Sequence, residues 1–474
     1  MSLPLKRLDA THDAYDKDAL ELYEAFYEGG EEFEEVRNKL LPKNAQEPDD
    51  LYTERMNLAT YENHAGPLID LVVAWLFSRP PTVEGIDPGW LANVDRRGTS
   101  LEMFVRDRFT EALKYQRDYT WVNLPARKPV ASLADQEQQG LLTPFLVPLD
   151  AETVRDWGHD DVGELVYVLA RSEHCTRASI EEDHRESKRW TWIDPVQIRR
   201  WELVKTEAKE TPETEAPELD RLAHGFGVLP VAAFDLPTGL HVMGKLRDPV
   251  IGHVRTLNDF DWKLHRDAHS TLIIQTEDPS EPALGAGYYF RIGKEDKAYY
   301  ASPNTAIYEA FAKREDAKRE GIYRLVQAMA QGVSGHSTQQ AASAASKALD
   351  WQSLSIMLTA YAEHVRAYLR DLVRIVAVPL GVAPESITVG GLAGWQEAEI
   401  TQMLDDFLTS QGVVKSATFH RSIAKSIAAR MMPGGTTAAE WPAVSDEIDA
   451  ADYDAPEPIA PLVRPAPVAD PAAA

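Results

Sequence analysis

Apolar residues recur at helical spacing in three stretches of the N-terminal part of the chain. In Asp18–Leu41 they repeat every three or four positions, and Gly29 and Gly30 predict a break within that stretch. The same periodicity predicts one long helix over Leu51–Phe77 and another over Leu101–Tyr115. The N-terminal part is therefore predicted to be helical.

The pattern changes to short apolar and aromatic runs between Thr120 and Phe234. Such runs, bounded by turn-forming residues, are typical of β-strands. Lys205–Leu219 is rich in Glu, Thr and Pro and predicts an exposed hairpin loop or a disordered insert. The runs predicted as strands are 119–124, 145–149, 165–169 and 190–193. Together with the flanking helices they predict an α+β fold that is mainly helical.

Two long helical patterns flank a strand-rich piece in the middle of the chain. Arg247–Ser270 carries apolar residues along one face, and Pro303–Gln331 is a long charged helix. The residues between them, 271–300, are rich in strand formers and glycine. The pattern predicts a helix, a compact strand region and a second helix.

A polar break over Gly332–Thr338 and an Ala- and Ser-rich segment precede a further long helix, Asp350–Val378, which Pro379 ends. The small residues suit either close packing at a crowded axis or an ordinary surface helix. The break suits either a projecting loop or a plain helix–helix connection. The apolar stripe of the long helix is expected to be core, and consists of Leu354, Leu358, Tyr361, Val365, Leu369, Leu372 and Val376.

The C-terminal part is predicted to contain a strand at Ile387–Val389 and two short helices, Gln396–Ser410 and Ser416–Arg430. The remainder, 441–474, is an acidic, Pro- and Ala-rich tail that is expected to be disordered.

The net charge of the chain limits the kinds of molecule that it is expected to bind. The 474 residues carry a formal net charge of −26, so a broad basic surface that grips nucleic acid is not expected. Such acidity suits either a surface that repels DNA or simple solubility. The single cysteine, Cys175, leaves no disulfide framework. Neither a secretory signal nor a membrane span is expected.

Motifs for catalysis are largely missing. There is no phosphate-binding loop, and Gly332–Gly335 lacks the spacing of a nucleophile elbow. Asp261, His265 and His269 recur every four residues on a predicted helix and could ligate a metal. The alternative is a polar helix stripe. We expect no catalytic, cofactor-binding or metal-binding residues, and no cofactor.

Four segments, in order along the chain, resemble the portal (head-to-tail connector) proteins of tailed bacteriophages. Tyr52–Asn63 and Leu76–Pro81 are similar to the run Y-x-x-R…A-x-Y-x-N…F-x-[KR]-P-P of one portal subfamily. Asn258–Ala268 resembles the helix that enters the portal stem. Gly332–Asp350 is similar to the pattern S-G-x-[AS]…[KR]-A-L-[DE], and Ala398–Met432 resembles the helix pair at the portal C-terminus.

The resemblance implies a portal-type fold with a wing, a stem of paired helices, a clip, a tunnel loop and a crown. The implied segments are a wing over 1–245, a first stem helix over 246–270, a clip over 271–303, a second stem helix over 304–331, a tunnel-loop region over 332–349, a long helix over 350–382, a crown over 383–440 and the disordered tail over 441–474.

The same resemblance implies which residues face DNA. The tunnel-loop candidates are Ser334, Gly335, His336, Ser337, Thr338 and Lys347, and the stem-channel candidates are Lys263 and Arg266. These positions offer small polar groups and a few basic side chains rather than a strongly cationic surface.

A portal of this family forms a homo-oligomeric ring of twelve subunits at one capsid vertex, without enzymatic activity of its own. The resemblance therefore implies localisation in the virion after assembly in the host cytoplasm. The implied partners are double-stranded DNA in the channel, the terminase large subunit, the major capsid and scaffolding proteins, and a head-completion adaptor, but no membrane. Two alternatives are a metal-dependent hydrolase using Asp261, His265 and His269, and another virion structural or adaptor protein.

Overall fold

The structure, a computed structural model, describes residues 2–125, 143–177, 180, 184–204, 214–267, 271–275, 297–301, 305–331, 344–393, 407, 409–410, 416–431 and 440–451. These residues divide into two units, Met1–Trp395 and Gln396–Ala474. In the first unit, helices and antiparallel sheets occupy largely separate stretches of the chain. The predicted α+β class with a helical majority is confirmed.

The N-terminal helices begin and end at residues with clear local roles. Asp16 caps α2 by accepting a hydrogen bond from the Ala19 amide, and Gly29, at φ 71°, separates α2 from α3 as predicted. Ser100 caps α7 in the same way. The helices are α1 Leu5–Leu8, α2 Lys17–Glu28, α3 Gly30–Leu40, α4 Asp49–Asn57, α5 Ala65–Phe77, α6 Pro88–Leu91 and α7 Leu101–Tyr115.

The predicted single helix over Leu51–Phe77 is wrong, because the chain leaves helical geometry between α4 and α5. This connector, residues 58–64, is held by tertiary hydrogen bonds. The Asn63 side chain accepts from the Gly66 amide at 3.0 Å and donates to the Tyr27 carbonyl at 2.6 Å. A Cβ at Gly66 would lie 2.5 Å from that same carbonyl, so the close approach needs glycine.

Antiparallel sheets follow α7. One sheet has the strand order β10-β8-β7-β6-β5, and another has the order β11-β3-β4. Short pairs join β1 to β9 and β14 to β2. The strands are β1 Leu3–Pro4, β2 Pro81–Glu84, β3 Arg117–Asn123, β4 Phe145–Leu149, β5 Val154–His159, β6 Leu165–Thr176, β7 Arg185–Ile193, β8 Gln197–Val204, β9 Glu215–Ala216, β10 Glu218–Ala223, β11 Val231–Asp235 and β14 Thr388–Gly391.

The predicted loop over Lys205–Leu219 is partly wrong. Residues 205–213 lie outside the described part, but β9 and the start of β10 fall within the predicted loop. The reason is pairing across the sheet. Arg199 on β8 forms an ion pair with Glu218 on β10 at 3.0 Å, so charges that suggested solvent exposure stabilise a strand edge instead.

Three long helices complete the first unit: α8 Val242–Asp267, α9 Thr305–Gln331 and α10 Ala344–Leu380. α8 begins before the predicted position 246 and contains Pro249, because Val242, Met243 and Leu246 are fully buried and outweigh the local cost of proline. Between α8 and α9 lie β12 Thr271–Gln275 and β13 Lys297–Ala301, which pair antiparallel.

The predicted stop at Pro379 is early by two residues, because α10 continues to Leu380. Pro379 lies inside the last turn of α10, and Gly381, at φ 66°, ends the helix. The Val382 amide donates to the Ala377 carbonyl at 3.1 Å, which satisfies a helix-end carbonyl. The predicted start at 350 is also late, since α10 begins at Ala344.

The predicted stripe of α10 forms the centre of the largest apolar core. Its described side chains, from Leu358 to Val376, are at most 1% exposed, whereas the side chain of Leu354 lies outside the described set. Tyr368 stacks on Phe234 of β11 with ring centroids 4.6 Å apart. The prediction that the stripe is core is confirmed, and of the two surroundings that the sequence left open, its own subunit or a neighbouring one, the structure shows its own.

The second unit contains α11 Ala417–Met431 and α12 Glu440–Ala450. α12 corrects the prediction that 441–474 is disordered throughout. An ion pair of 2.7 Å from Lys425 Nζ to Asp449 joins the two helices. The remaining residues predicted as tail, 452–474, and most of the predicted helix Gln396–Ser410 lie outside the described part. In the described residues, none of the helices has the length and apolar character needed to cross a membrane.

We expect Val365→Asp to lower the free energy of unfolding by several kcal/mol, because it places an unpaired charge at a position that is 0% exposed. Urea unfolding followed by circular dichroism measures the effect. Ile356→Asp on the same helix is the matched control, since Ile356 is 65% exposed and should tolerate the charge. Equal stability of the two variants would contradict the assigned helix register.

Candidate functional site

Helices α8 and α9 pack against each other as an antiparallel pair. The Gly252 carbonyl, near the middle of α8, accepts a hydrogen bond from Lys318 Nζ, near the middle of α9. Further along α8, Phe260 stacks on Phe311 with ring centroids 5.9 Å apart. As numbering rises on α8 it falls on α9, so the chain leaves along α8, passes through the paired strands β12 and β13, and returns along α9.

One face of α8 is fixed to the N-terminal helices by polar contacts. The Asn258 side chain is 4% exposed and bonds both backbone groups of Thr60, accepting from its amide at 2.8 Å and donating to its carbonyl at 2.9 Å. Arg255 Nε donates to the Leu40 carbonyl at 3.0 Å. Because the 58–64 connector has no helix of its own, Asn258 supplies the backbone partners that a helix would have provided.

A line of alternating charge runs along α8 and begins at the same Arg255 that contacts Leu40. Arg255, Asp259 and Lys263 are spaced four residues apart and therefore share a face. Arg255 and Asp259 are exposed and Lys263 is half-buried. The two helices are also nearly balanced, with five Lys or Arg and four Asp or Glu on each, in a chain whose net charge is −26.

Two of the five basic side chains of α9 form ion pairs with carboxylates on the same helix. Arg324 bonds Glu320 at 2.6 Å, and Arg319 bonds Asp316 at 2.5 Å. Lys318 lies between the helices, where burial, followed by the charge of Arg314, lowers its pKa. The helix pair therefore presents neutralised charge rather than a strongly cationic surface.

Some of the residues predicted to face DNA lie within the described part of the structure, and others lie outside it. Lys263 lies on the charged line of α8, and Arg266 lies in the last turn of the same helix. Lys347 lies in the first turn of α10, where only its backbone belongs to the described structure. The tunnel-loop candidates Ser334, Gly335, His336, Ser337 and Thr338 lie outside the described residues. Whether any of them faces DNA stays a prediction.

Asp261 and His265 bond separate partners in the described structure. Asp261 accepts from Thr60 Oγ1 at 3.3 Å, and His265 Nε2 lies 3.2 Å from Glu54 Oε1. Burial, together with the charges of nearby carboxylates, raises the pKa of Asp261. His269 lies outside the described residues. As far as it is described, this constellation serves the contact between α8 and the N-terminal helices.

A different cluster, which the sequence did not indicate, lies closer to the start of α8. Glu62 and His64 of the connector meet His253 of α8, and their potential ligand atoms all lie within 4.8 Å of one another. His64 directly follows the Tyr61–Asn63 segment of the portal-like motif. No local signal in the sequence pairs it with His253, which is far along the chain.

Comparison with known proteins gives structural neighbours only. No protein-family model matches the chain, and no curated protein matches it. A chain in the virion of a native gene transfer agent (GTA) particle is 12% identical, with a TM-score of 0.39 over 81% of this chain and 95% of that one. Chains from two GTA neck structures have the same identity and TM-score. The match to the chain from the neck of the empty particle, computed with C6 symmetry, covers 82% of this chain and 98% of that one. The match to the chain from the neck of the native particle, computed with C12 symmetry, covers 80% of this chain and 94% of that one. Likenesses of this size support no statement about function.

We expect Asn258→Ala to lower the free energy of unfolding by about 1–3 kcal/mol, because it leaves the backbone amide and carbonyl of Thr60 without their partners. Thermal and urea unfolding measure the loss. Asn57→Ala is the control, since Asn57 is exposed on α4 and loses the same amide group. A variant as stable as the control would show that α8 does not hold the connector.

Proposed function

We propose that this protein is a phage-type portal, a ring subunit that surrounds double-stranded DNA during packaging and ejection. The proposal rests on the portal-like segments, which keep their order from Tyr52 to Met432. It also rests on a fold in which the segments expected for stem and clip are adjacent in the required order.

The observation that carries the proposal is the hairpin formed by α8, β12, β13 and α9. A portal stem needs two antiparallel helices joined by a clip that projects beyond them. The chain supplies a helix of 26 residues, a strand pair and a helix of 27 residues in that sequence. The contacts of Phe260 with Phe311 and of Lys318 with Gly252 keep the two helices side by side.

The pattern of charges on the hairpin suits a channel along which DNA slides better than a surface that binds DNA tightly. Duplex affinity rises with each phosphate that a free cation neutralises. On α9 the guanidinium groups of Arg319 and Arg324 already bond carboxylates, and on α8 the charges alternate along the line that contains Asp259. DNA beside such a surface meets attraction and repulsion in turn, which favours sliding over tight binding.

The segment assignments follow from the same proposal. The residues before α8 form the wing, α8 and α9 the stem, and β12 with β13 the clip on which the terminase large subunit docks. The tunnel-loop region is 332–349, α10 is the long helix, and residues after 383 belong to the crown. Capsid, scaffolding and head-completion proteins are the further proposed partners, and a ring of twelve subunits in the virion is the proposed assembly.

We expect the purified full-length protein to form rings with a central hole. Negative-stain images should show annular views, and light scattering should give a mass about twelve times the chain's 52.9 kDa. A ring is expected because a portal reaches its channel only by assembly about an axis. Monomers at high protein concentration, both alone and with the scaffolding protein of the same particle, would overturn the proposal. So would a closed assembly without a channel, which would favour another virion structural role.

Deletion of Ser334–Thr338 should leave folding and ring yield largely intact but impair DNA packaging or retention. Small polar residues at an irregular break suit a loop that projects from the ring wall, and projecting loops tolerate shortening. The measurements are ring yield by size-exclusion chromatography and packaged genome length in a complementation assay.

A deletion of the same length, Thr206–Glu210, is the matched control, because this stretch belongs to a Glu-, Thr- and Pro-rich insert far from the break in sequence. It should package normally. Loss of rings after the Ser334–Thr338 deletion would instead assign the break to an ordinary helix connection. Full-length packaging at normal efficiency would also refute the tunnel-loop assignment.

A further inference from the structure

Two histidines and a glutamate meet where the 58–64 connector crosses the helix pair. The potential ligand atoms of Glu62, His64 and His253 all lie within 4.8 Å of one another. His64 Nε2 is 3.2 Å from Glu62 Oε2, and the two imidazole rings have centroids 5.1 Å apart. These residues belong to two distant parts of the chain, so the cluster exists only in the folded protein.

A second carboxylate, that of Glu315 on α9, lies beside His253. Glu315 Oε1 lies 3.1 Å from His253 Nε2, and its side chain is only 14% exposed. With neutral imidazoles, Glu62 and Glu315 give the cluster a charge of about −2, which a divalent cation would balance. The nearest competing cation is Arg319, whose Nη1 lies 3.5 Å from Glu315 while its other terminal nitrogen bonds a different carboxylate.

The surroundings already orient the imidazole of His64. Its Nδ1 is 3.1 Å from the Tyr323 hydroxyl, so that contact leaves Nε2 to face Glu62 and the cluster. Hydrogen bonding of the second ring nitrogen is the usual way in which proteins orient a metal-binding histidine.

We propose that Glu62, His64 and His253, with Glu315 as the fourth ligand, bind one divalent transition-metal ion, with Zn²⁺ the best fit. Two imidazoles with two carboxylates suit Zn²⁺ better than Ca²⁺ or Mg²⁺, which prefer all-oxygen sites. Around a tetrahedral ion at about 2.1 Å, neighbouring ligand atoms lie about 3.4 Å apart. The ligand atoms of Glu62, His64 and His253, now within 4.8 Å of one another, therefore need to approach by at most about 1.4 Å, a shift that the half-exposed Glu62 side chain can supply by rotation.

Four protein ligands leave no open position, so the site is structural rather than catalytic. The ion ties together three elements, namely the connector through Glu62 and His64, α8 through His253 and α9 through Glu315. It stabilises the middle of the helix pair whatever the oligomeric state. The proposal is therefore independent of the portal assignment.

The test uses the untagged full-length chain, stripped with EDTA and returned to metal-free buffer. Titration calorimetry with Zn²⁺ should give one ion per chain, and Co²⁺ should produce the visible absorption bands of a tetrahedral site. Glu62→Gln should weaken Zn²⁺ binding at least about tenfold, and His64→Gln should remove the cobalt bands. Zn²⁺ should raise the melting temperature of the wild-type chain but not that of His64→Gln.

The matched control is His265→Gln, because His265 lies on the same helix, is half-exposed and pairs with Glu54 outside the cluster. It should bind Zn²⁺ like the wild type. His253 is buried and its variant can fail to fold, so the two connector variants decide the outcome. Absence of stoichiometric binding in the wild type, unchanged binding in His64→Gln, or loss of binding in the control would each overturn the proposal.

Discussion

Burial of one face of α10 is the constraint on which the first unit depends. The helix contacts the N-terminal helices on one side and the sheet on the other, so its side chains must satisfy both. Tyr361 meets Phe109 of α7 edge-on at 5.4 Å and donates from its hydroxyl to the Leu240 carbonyl. Tyr368 bonds the Thr120 hydroxyl of β3 at 2.6 Å. Each buried hydroxyl thus has a partner, and each partner lies on a different element.

The same packing determines where the helix pair begins. Leu240, which accepts from Tyr361, lies just before α8, and the first buried residues of that helix continue the core. α8 then leaves the core and is held by Asn258 and Arg255. The apolar core therefore fixes the start of the hairpin, whereas polar contacts fix its course.

Local signals in the sequence predicted a helix boundary correctly where a capping residue or a glycine at that boundary determines it. α7 has the predicted bounds, with Ser100 at its N-terminus, and the break at Gly29 follows from a backbone angle that favours glycine. The break between α4 and α5 was missed because the apolar spacing continues through Leu51–Phe77, although Gly66 and Pro67 in the first turn of α5 are local signals of a helix start. The interruption is stabilised by Asn63 and by Asn258, which lies far along the chain.

For the candidate sites too, the sequence predicted the helical positions of residues but not their tertiary contacts. Lys263 and Arg266 were correctly placed on a helix, because apolar periodicity identifies helices well. The partners of Asp261 and His265 were not predictable, since Thr60 and Glu54 approach only through tertiary packing. The cluster around His64 was missed for the same reason. Equal spacing on one helix suggested a metal site, but the ligands that converge come from three elements.

The alternation of charge along α8 has a consequence for motion past the helix. Arg255, Asp259 and Lys263 change sign every four residues, or about every 6 Å of helix. DNA carries charges of a single sign, about 3.4 Å apart on each strand. In the proposed ring, a phosphate drawn to a cation would meet an anion about one helical turn later, so the two energies would partly cancel as the polymer advances. The free-energy profile for translocation would therefore be shallow, and little of a motor's work would go into pulling DNA away from the wall.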